Sequence, residues 1–449
     1  MKTLCIFLAI ICTFTHIVHS QLELVNSWKY LDFNFKSEQD RTKYINQQHY
    51  KNCFIAGIKL DSKGDIYVSV PRWKPNVPAT LAKISNGQLH AFPSWDMNDV
   101  SNSTNGIRSV LGFEIDAKDR MWILDQGRVV DTPGNPTLTV WDLKTQHLVY
   151  RHVFDESIAP LETAFLNDIV VNADANIAYI SDSGIPISGS KQSPRPGIIS
   201  INIQSNKAKR HLDNHASTQA NLEVWPVVNG KKCFRNEPMK TGADGIALSC
   251  DGNKLYWTPL TSRRLYGIKT SVLHSDDPEV EKSVVDLGDK SSISDGLIAS
   301  NKGDMYITAL EQNAIYHVSE KQIGPYVEQN AKGTEKLLSM SLLTNDTDLL
   351  WPDTLALKDG YLYSTSNNLC SFLEGELDWN AQNFKIHKIK LVNSPNSYVF
   401  GCDMGATDDF RAVKIALICC AVSLFVLSMV IVVIIALRKT NKKTRYSEI

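Results

Sequence analysis

FIAGIKLDSKGDIYVSV, residues 54–70, carries the pattern that decides the fold: an apolar strand, a turn of Asp, Ser, Lys and Gly, and a second strand with an aromatic residue. The pattern returns as VLGFEIDAKDRMWILD (110–125), LNDIVVNADANIAYISD (166–182), ADGIALSCDGNKLYWTP (243–259), SDGLIASNKGDMYITA (294–309) and PDTLALKDGYLYSTSN (352–367). With Asp61, Asp116, Asp174, Asp251, Asn301 and Lys358 as turn anchors, successive copies are offset by 55, 58, 77, 50 and 57 residues. A long period of this kind is read before any local motif, because each unit is one supersecondary element that buries its apolar face only against its neighbours.

Each copy is followed by a third alternating segment: TLAKIS, TLTVWDL, GIISINI, RLYGIKT, AIYHVS and KIHKIKL. A weaker fourth follows in several copies, such as QLHAFPS, HLVYRHVF and VEKSVVDL. β-Branched and aromatic residues in period-two alternation mark these as strands. Four short antiparallel strands, six times over, predict an all-β fold, a six-bladed β-propeller spanning residues 21–405. The last copy lacks an obvious fourth strand, and WKYLDFNF from Trp28 is an unpaired strand before the first. Pairing the two closes the ring and removes two exposed sheet edges.

Outside the repeats the chain reads as a secretory and membrane-directed sequence. Residues 1–20 have a lysine, an apolar run and a small-residue end before Gln21, the pattern of a signal peptide. Residues 406–414 read as a stalk, and 415–437 as a single transmembrane helix of 23 residues without a charge. Arg438, Lys439, Lys442, Lys443 and Arg445 follow in a tail of residues 438–449, which places that tail in the cytoplasm and the propeller outside, a type I single-pass protein at the cell surface or another secretory-pathway membrane. Removing Lys2 and the net +5 of residues 412–449 turns the formal charge of −1 into −7. A mildly acidic surface excludes the basic footprint that nucleic acid requires. Oligomeric state is left open.

Five cysteines lie in the outer part: Cys53, Cys233, Cys250, Cys370 and Cys402. An oxidising compartment implies two disulfides and one leftover thiol. Because Cys53 opens the first copy and Cys402 follows the last, a bond between them would tie the two ends of the ring. Asn102 and Asn345 head glycosylation sequons.

The step of 77 residues holds an insertion, residues 211–242, which reads as a lid or surface loop with His211 and His215 in solvent. Local signatures of serine hydrolases, zinc proteases, dinucleotide enzymes and nucleotide triphosphatases are missing, and no cofactor or metal is called for. In a propeller, functional groups come from equivalent positions of different blades. At the start of each inner strand these are Asn167-Asp168, Asp244-Gly245, Ser294-Asp295 and Pro352-Asp353-Thr354, with Gly57 and Gly112 in the first two copies. A ring of short polar side chains binds a cation, a metal or a polar small molecule, although Asp before Gly also caps turn amides. Asp125-Gln126, Asp182-Ser183, Thr258, Thr308 and Ser366-Asn367 end the second strands and are expected near the opposite end of the strand pair or in loops beyond it. Trp73, Trp95, Trp225 and Phe165 are candidate walls against a flat or cationic ligand.

GFEIDAKDRMWILDQG, LNDIVVNADANIAYISDSG, TGADGIALSCDGNKLYWTPLTSRRLYGI, SDGLIASNKGDMYITALEQNAI and LLWPDTLALKDGYLYSTSNNL, taken in this order, resemble the yellow and major royal jelly protein family. The resemblance runs from Trp28 to Cys402 and implies a secreted six-bladed propeller. Members bind biogenic amines in the central channel, serve developmental or nutritional roles, or are linked to dopachrome conversion in melanin synthesis. The amine-lining SNRF-like motif of such relatives corresponds here to Ser366-Asn367-Asn368-Leu369, with Leu369 in place of the aromatic ring, and a ligand-contacting threonine corresponds to Thr354. The transmembrane segment departs from the family pattern and favours a tethered role. The resulting expectation is a non-enzymatic, membrane-anchored binding protein for a small aromatic amine or related ligand, with Asn367 and Thr354 hydrogen-bonding the ligand, Leu369 and Asn167 beside it, and Asp295 or Asp353 near its ammonium. Alternatives are a dopachrome-converting isomerase, a lactonase-like propeller holding calcium on Asn167, Asp168 and Asp295, and an adhesive or signalling ectodomain.

Overall fold

A computed structural model describes residues 22–102, 104–275, 279–331 and 337–403. The expected signal peptide, stalk, membrane span and tail lie outside the described residues. Among those described, no helix is long and apolar enough to cross a membrane.

Six four-stranded antiparallel sheets form the six blades, and an additional two-stranded hairpin lies in the insertion. The inner strands are Ile58–Leu60, Val110–Ile115, Leu166–Asn172, Ala243–Leu248, Leu297–Ala299 and Pro352–Lys358. They are buried on both faces, which explains their nearly continuous apolar runs. Each first hairpin turns on a residue in the left-handed region: Gly64, Asp119, Asn176, Gly252, Gly303 and Gly360. Only Gly, Asn and Asp take that conformation cheaply, and these were the residues that marked the turns in sequence. Anchor aspartates hold the turns from inside. Asp61 Oδ1 accepts from the amides of Lys63 and Asp65, and Asp116 Oδ1 from those of Lys118 and Arg120.

Blade 6 is closed by the N-terminus, but six residues earlier than WKYLDFNF suggests. Leu22–Trp28 pairs antiparallel with Phe384–Lys390, from Leu22 against Ile389 to Trp28 against Phe384. Beyond Trp28 the chain leaves the sheet, and Phe33 bridges Leu89 of blade 1. The aromatic run of the expected strand thus packs between blades, with Leu31 and Phe33 fully buried.

The disulfides correct the expected end-to-end bond. Cys233 pairs with Cys370 and Cys250 with Cys402, with Cα atoms 5.6 and 4.9 Å apart. Cys402 is carried to blade 4 by the C-terminal segment, far from Cys53, which is fully buried with its thiol 3.7 Å from the carbonyl of His49. Burial pushes the Cys53 thiol up to about 12. Peptide mapping without reduction is therefore expected to give the 233–370 and 250–402 links, with Cys53 alkylated only after unfolding; alkylation of native Cys53 would contradict its placement.

Candidate functional site

The inner strands approach one another so closely that backbone lies against backbone. A Cβ placed on Gly57 would sit 2.7 Å from Leu111 O, on Gly112 2.4 Å from Asn167 O, on Gly245 2.1 Å from Asp295 O, and on Gly296 2.3 Å from Asp353 O. These glycines are required by contact between neighbouring blades. At the same level four inner strands slip register, between Val110 and Phe113, Leu166 and Ile169, Ala243 and Ile246, and Pro352 and Leu355. Such bulges re-aim side chains, and the bulged pairs here are Leu111-Gly112, Asn167-Asp168, Asp244-Gly245 and Asp353-Thr354. Hydroxyls from the second strands fix the geometry. Ser69, Ser181, Thr308 and Thr365 accept from the amides of Gly57, Asp168, Gly296 and Thr354.

The result is a chamber of about 160 Å³ at one end of the channel. Asn167, Asp244, Asp295 and Asp353 form its polar base, while Trp73, Phe165, Leu111, Leu260, Leu369 and Leu373 supply much of its apolar wall. Met239 and Thr241, from the insertion, complete the lining. Beneath it, Asp168 and Thr354 join the same three aspartates around a void of about 10 Å³, room for roughly one water. A larger cleft of about 610 Å³ beside the N-terminal helix Glu38–Asn46 mixes Lys36, Lys43, Asp40 and Asp99, without a convergent set of functional groups. The channel chamber is therefore the candidate site.

Its carboxylates are braced individually and crowded collectively. Asp353 accepts from Thr354 Oγ1 at 2.8 Å and from Asn367 Nδ2 at 2.6 Å. Asp295 accepts from the buried indole of Trp351 at 2.7 Å, and Asp244 from Asn167 Nδ2 at 2.7 Å. Asp244 and Asp295 stand side by side in the lining and influence each other's protonation. Burial first, then the neighbouring carboxylates Asp295 and Asp353, holds Asp244 well above the usual range. Burial likewise pushes Asp295 and Asp168 up to about 6, and Asp353 far above its ordinary value. Like charges this close do not all ionise, so the cluster holds protons at neutral pH.

Several expected residues meet here, in altered roles. Asn167, Asp295, Asp353 and Leu369 line the chamber, as do Trp73 and Phe165, whose rings lie 5.5 Å apart. Asn367 does not line it. Its amide donates to Ile55 O and Asp353, and its carbonyl accepts from Leu369 N, so it positions Asp353 rather than meeting a ligand. Thr354 lines the floor below, its hydroxyl donated to Asp353. Asn367 and Ser183 end second strands, yet they reach Asp353 and Asn167 because an antiparallel hairpin returns to the level where it began. The opposite-end expectation is thus corrected. Asp125 and Asp182 serve the scaffold, capping amides at Ser109 and Phe165. Trp95 lines the outer cleft and Trp225 bonds Cys233 O within the insertion. Among the described residues no group of three acidic, His or Cys side chains is arranged to hold a metal; Asn167, Asp168 and Asp295, the residues of the calcium alternative, all line the small void at the floor.

Most of the insertion is exposed or half-buried, as expected of a surface loop, but His211 is not in solvent. His211 ends the outer strand Lys207–His211, buried against Ser200 Oγ at 2.8 Å, and burial lowers it to about 4. The Cys233–Cys370 bond pins the insertion to the helix Leu369–Glu374, which carries Leu369 and Leu373 into the chamber. At the level of Glu114, Tyr398 is buried against the inner strands of blades 2 and 3. Its hydroxyl donates to Glu114 Oε2 at 3.2 Å and accepts from Val171 N at 2.8 Å.

Residues 108–398 match the sequence profile of the major royal jelly proteins. The chain belongs to that family. It is 24% identical to major royal jelly protein 3 of Apis mellifera over 399 residues, 83% of this chain and 69% of that protein. It is 25% identical to a dopaminechrome tautomerase of Drosophila melanogaster over 420 residues, covering 85% and 86% of the two chains. Protein yellow of Drosophila madeirensis is 24% identical over 404 residues, 84% of this chain and 66% of that one. In this family member the ring of Asp244, Asp295 and Asp353 carries the polar character of the channel.

A raised carboxyl pKa lowers stability above the folded-state value. Folded Asp295 titrates near 6 against about 3.9 unfolded, so the native state binds the extra proton between those values and loses stability as pH rises through them. His211 acts in the opposite sense, so the difference between variants is the measurement to make. Relative to wild type, Asp295→Asn is expected to gain on the order of 3 kcal/mol in unfolding free energy between pH 4 and pH 7.5. A pH-independent difference would show that Asp295 is not held protonated.

Proposed function

We propose that the chamber binds a small, flat, positively charged aromatic ligand derived from an amine, and that its carboxylates move a proton on that ligand, as an aminochrome tautomerase does. One observation carries this reading: Asp244, Asp295 and Asp353 line one chamber with the rings of Trp73 and Phe165, and no Lys, Arg or His is among its lining residues, the nearby Arg128 lying 4.5 Å over the Phe165 ring. A buried cation needs such a base, since an unpaired one is costly, and aromatic faces attract it further. The chemistry follows from crowding. With protons held unevenly in the cluster, an ionised carboxylate removes a proton from carbon while a protonated one delivers a proton to the ring oxygen, leaving no net change in composition. The alignment with a dopaminechrome tautomerase over 86% of that protein supports the choice of reaction class. The 23 uncharged residues 415–437 and the basic flank behind them support a surface-tethered, type I arrangement, and Asn345, exposed at the end of its outer strand, supports glycosylation there.

Purified protein is expected to convert dopaminechrome faster than the spontaneous rate, with an acid limb near pH 6 where Asp295 titrates. Asp244→Asn and Asp295→Asn are each expected to reduce the enzymatic component roughly 10²–10⁴-fold. Calorimetry with dopamine and serotonin reports binding separately, and affinity is expected to rise from pH 5 to 7.5 as carboxylates ionise. Heat without conversion would remove the catalytic half of the reading; neither heat nor conversion would remove both.

A further inference from the structure

Lys59 stands on the inner strand Ile58–Leu60 of blade 1, two residues past Gly57, and Glu114 stands two past Gly112 on the inner strand of blade 2. Both are buried, at 6% and 3% exposure. Lys59 Nζ lies 3.3 Å from Glu114 Oε2 and donates to Leu355 O of blade 6 at 3.4 Å. The equivalent positions of the other blades are Val170, Ala247, Ile298 and Ala356. One cation and one anion thus occupy a level of the channel that is otherwise apolar.

Glu114 is already well served. Its Oε1 accepts from Ile115 N at 2.9 Å, and its Oε2 from Tyr398 as well as Lys59. Above this level lie four more carboxylates, Asp168, Asp244, Asp295 and Asp353, and neither chamber nor floor is lined by a basic residue. Towards the outer mouth, Asp61, Asp116 and Asp119 secure turns, and Lys358 pairs with Asp359 at 3.0 Å.

We infer that Lys59, held on Glu114 at the level just below, is the counter-charge that limits how firmly Asp168 at the floor of the acidic channel keeps its proton. Glu114 and the four aspartates above it face this part of the channel with the Lys59 ammonium. At Asp168, burial raises the carboxyl, Lys59 is the charge that opposes it, and Glu114 and Asp353 add to the rise. Replacing the ammonium with an apolar group therefore drives a proton onto Asp168. Its meaning for catalysis, as a positioning residue that keeps one carboxylate ionised as base, rests on the proton-transfer reading above. Its effect on channel charge does not.

The test uses full-length protein without ligand and follows the carboxylic-acid C=O stretch by infrared difference spectroscopy across pH. Asp168→Asn assigns the Asp168 component by its loss. Lys59→Met is expected to move that component up by at least about one pH unit, and Lys59→Arg to return it towards wild type. Lys59→Met combined with Glu114→Gln leaves no unpaired charge, so it decides the matter if the single variant fails to fold: set against Glu114→Gln alone, so that the loss of Glu114 is common to both, it is expected to show the same upward shift. Unchanged midpoints in folded Lys59→Met, or between the double variant and Glu114→Gln alone, would overturn the inference, whatever the outcome with dopaminechrome.

Discussion

Contact between neighbouring inner strands is the constraint on which the rest of the molecule depends. Gly57, Gly112, Gly245 and Gly296 each meet a carbonyl of the next blade at a distance no side chain permits. With no side chains there, the axis is narrow, and Leu111, Asp244 and Asp295, immediately before three of these glycines, line the space that remains. Bulges accompany this placement at Leu111 and Asp244. The composition of the chamber is therefore a consequence of how tightly the blades close.

That closeness also explains the electrostatics. Aspartates from three successive blades are brought within mutual influence in a setting with little water, and each is stabilised by a separate donor: Trp351, Asn167 or Asn367. The donors keep the side chains fixed but cannot cancel three charges, so protons are retained instead. Repulsion that would be screened on a surface becomes a reservoir of exchangeable protons next to an apolar wall.

The period of the repeats and the Gly, Asn and Asp residues of the turns made the propeller readable from sequence, because left-handed turns accept few residue types. The closing strand was harder: Leu22–Trp28 is less aromatic than the segment after it, and the aromatic residues beyond Trp28 are there to pack between blades. At the site, Asn167, Asp295, Asp353 and Leu369 were legible as departures or recurrences in the inner strands. Asp244 looked like an ordinary turn cap, since Asp-Gly has that meaning in most contexts and only adjacency to Asp295 changes it. Asn367 stands out in sequence as an unusual amide, but where its hydrogens go, to Ile55 O and Asp353, is visible only in the structure. Met239 and Thr241 reach the chamber through an insertion with no periodicity, and the Cys233–Cys370 link that places them required coordinates.

Tyr398 has a consequence for traffic. The segment that carries it is tied to blades 5 and 6 through Asn396, which bonds Asn301 and Asp359, and to blade 4 through Cys402. Any ligand of the chamber would meet buried Tyr398 on the Glu114 side, which leaves exchange to the side lined by Met239 and Leu373.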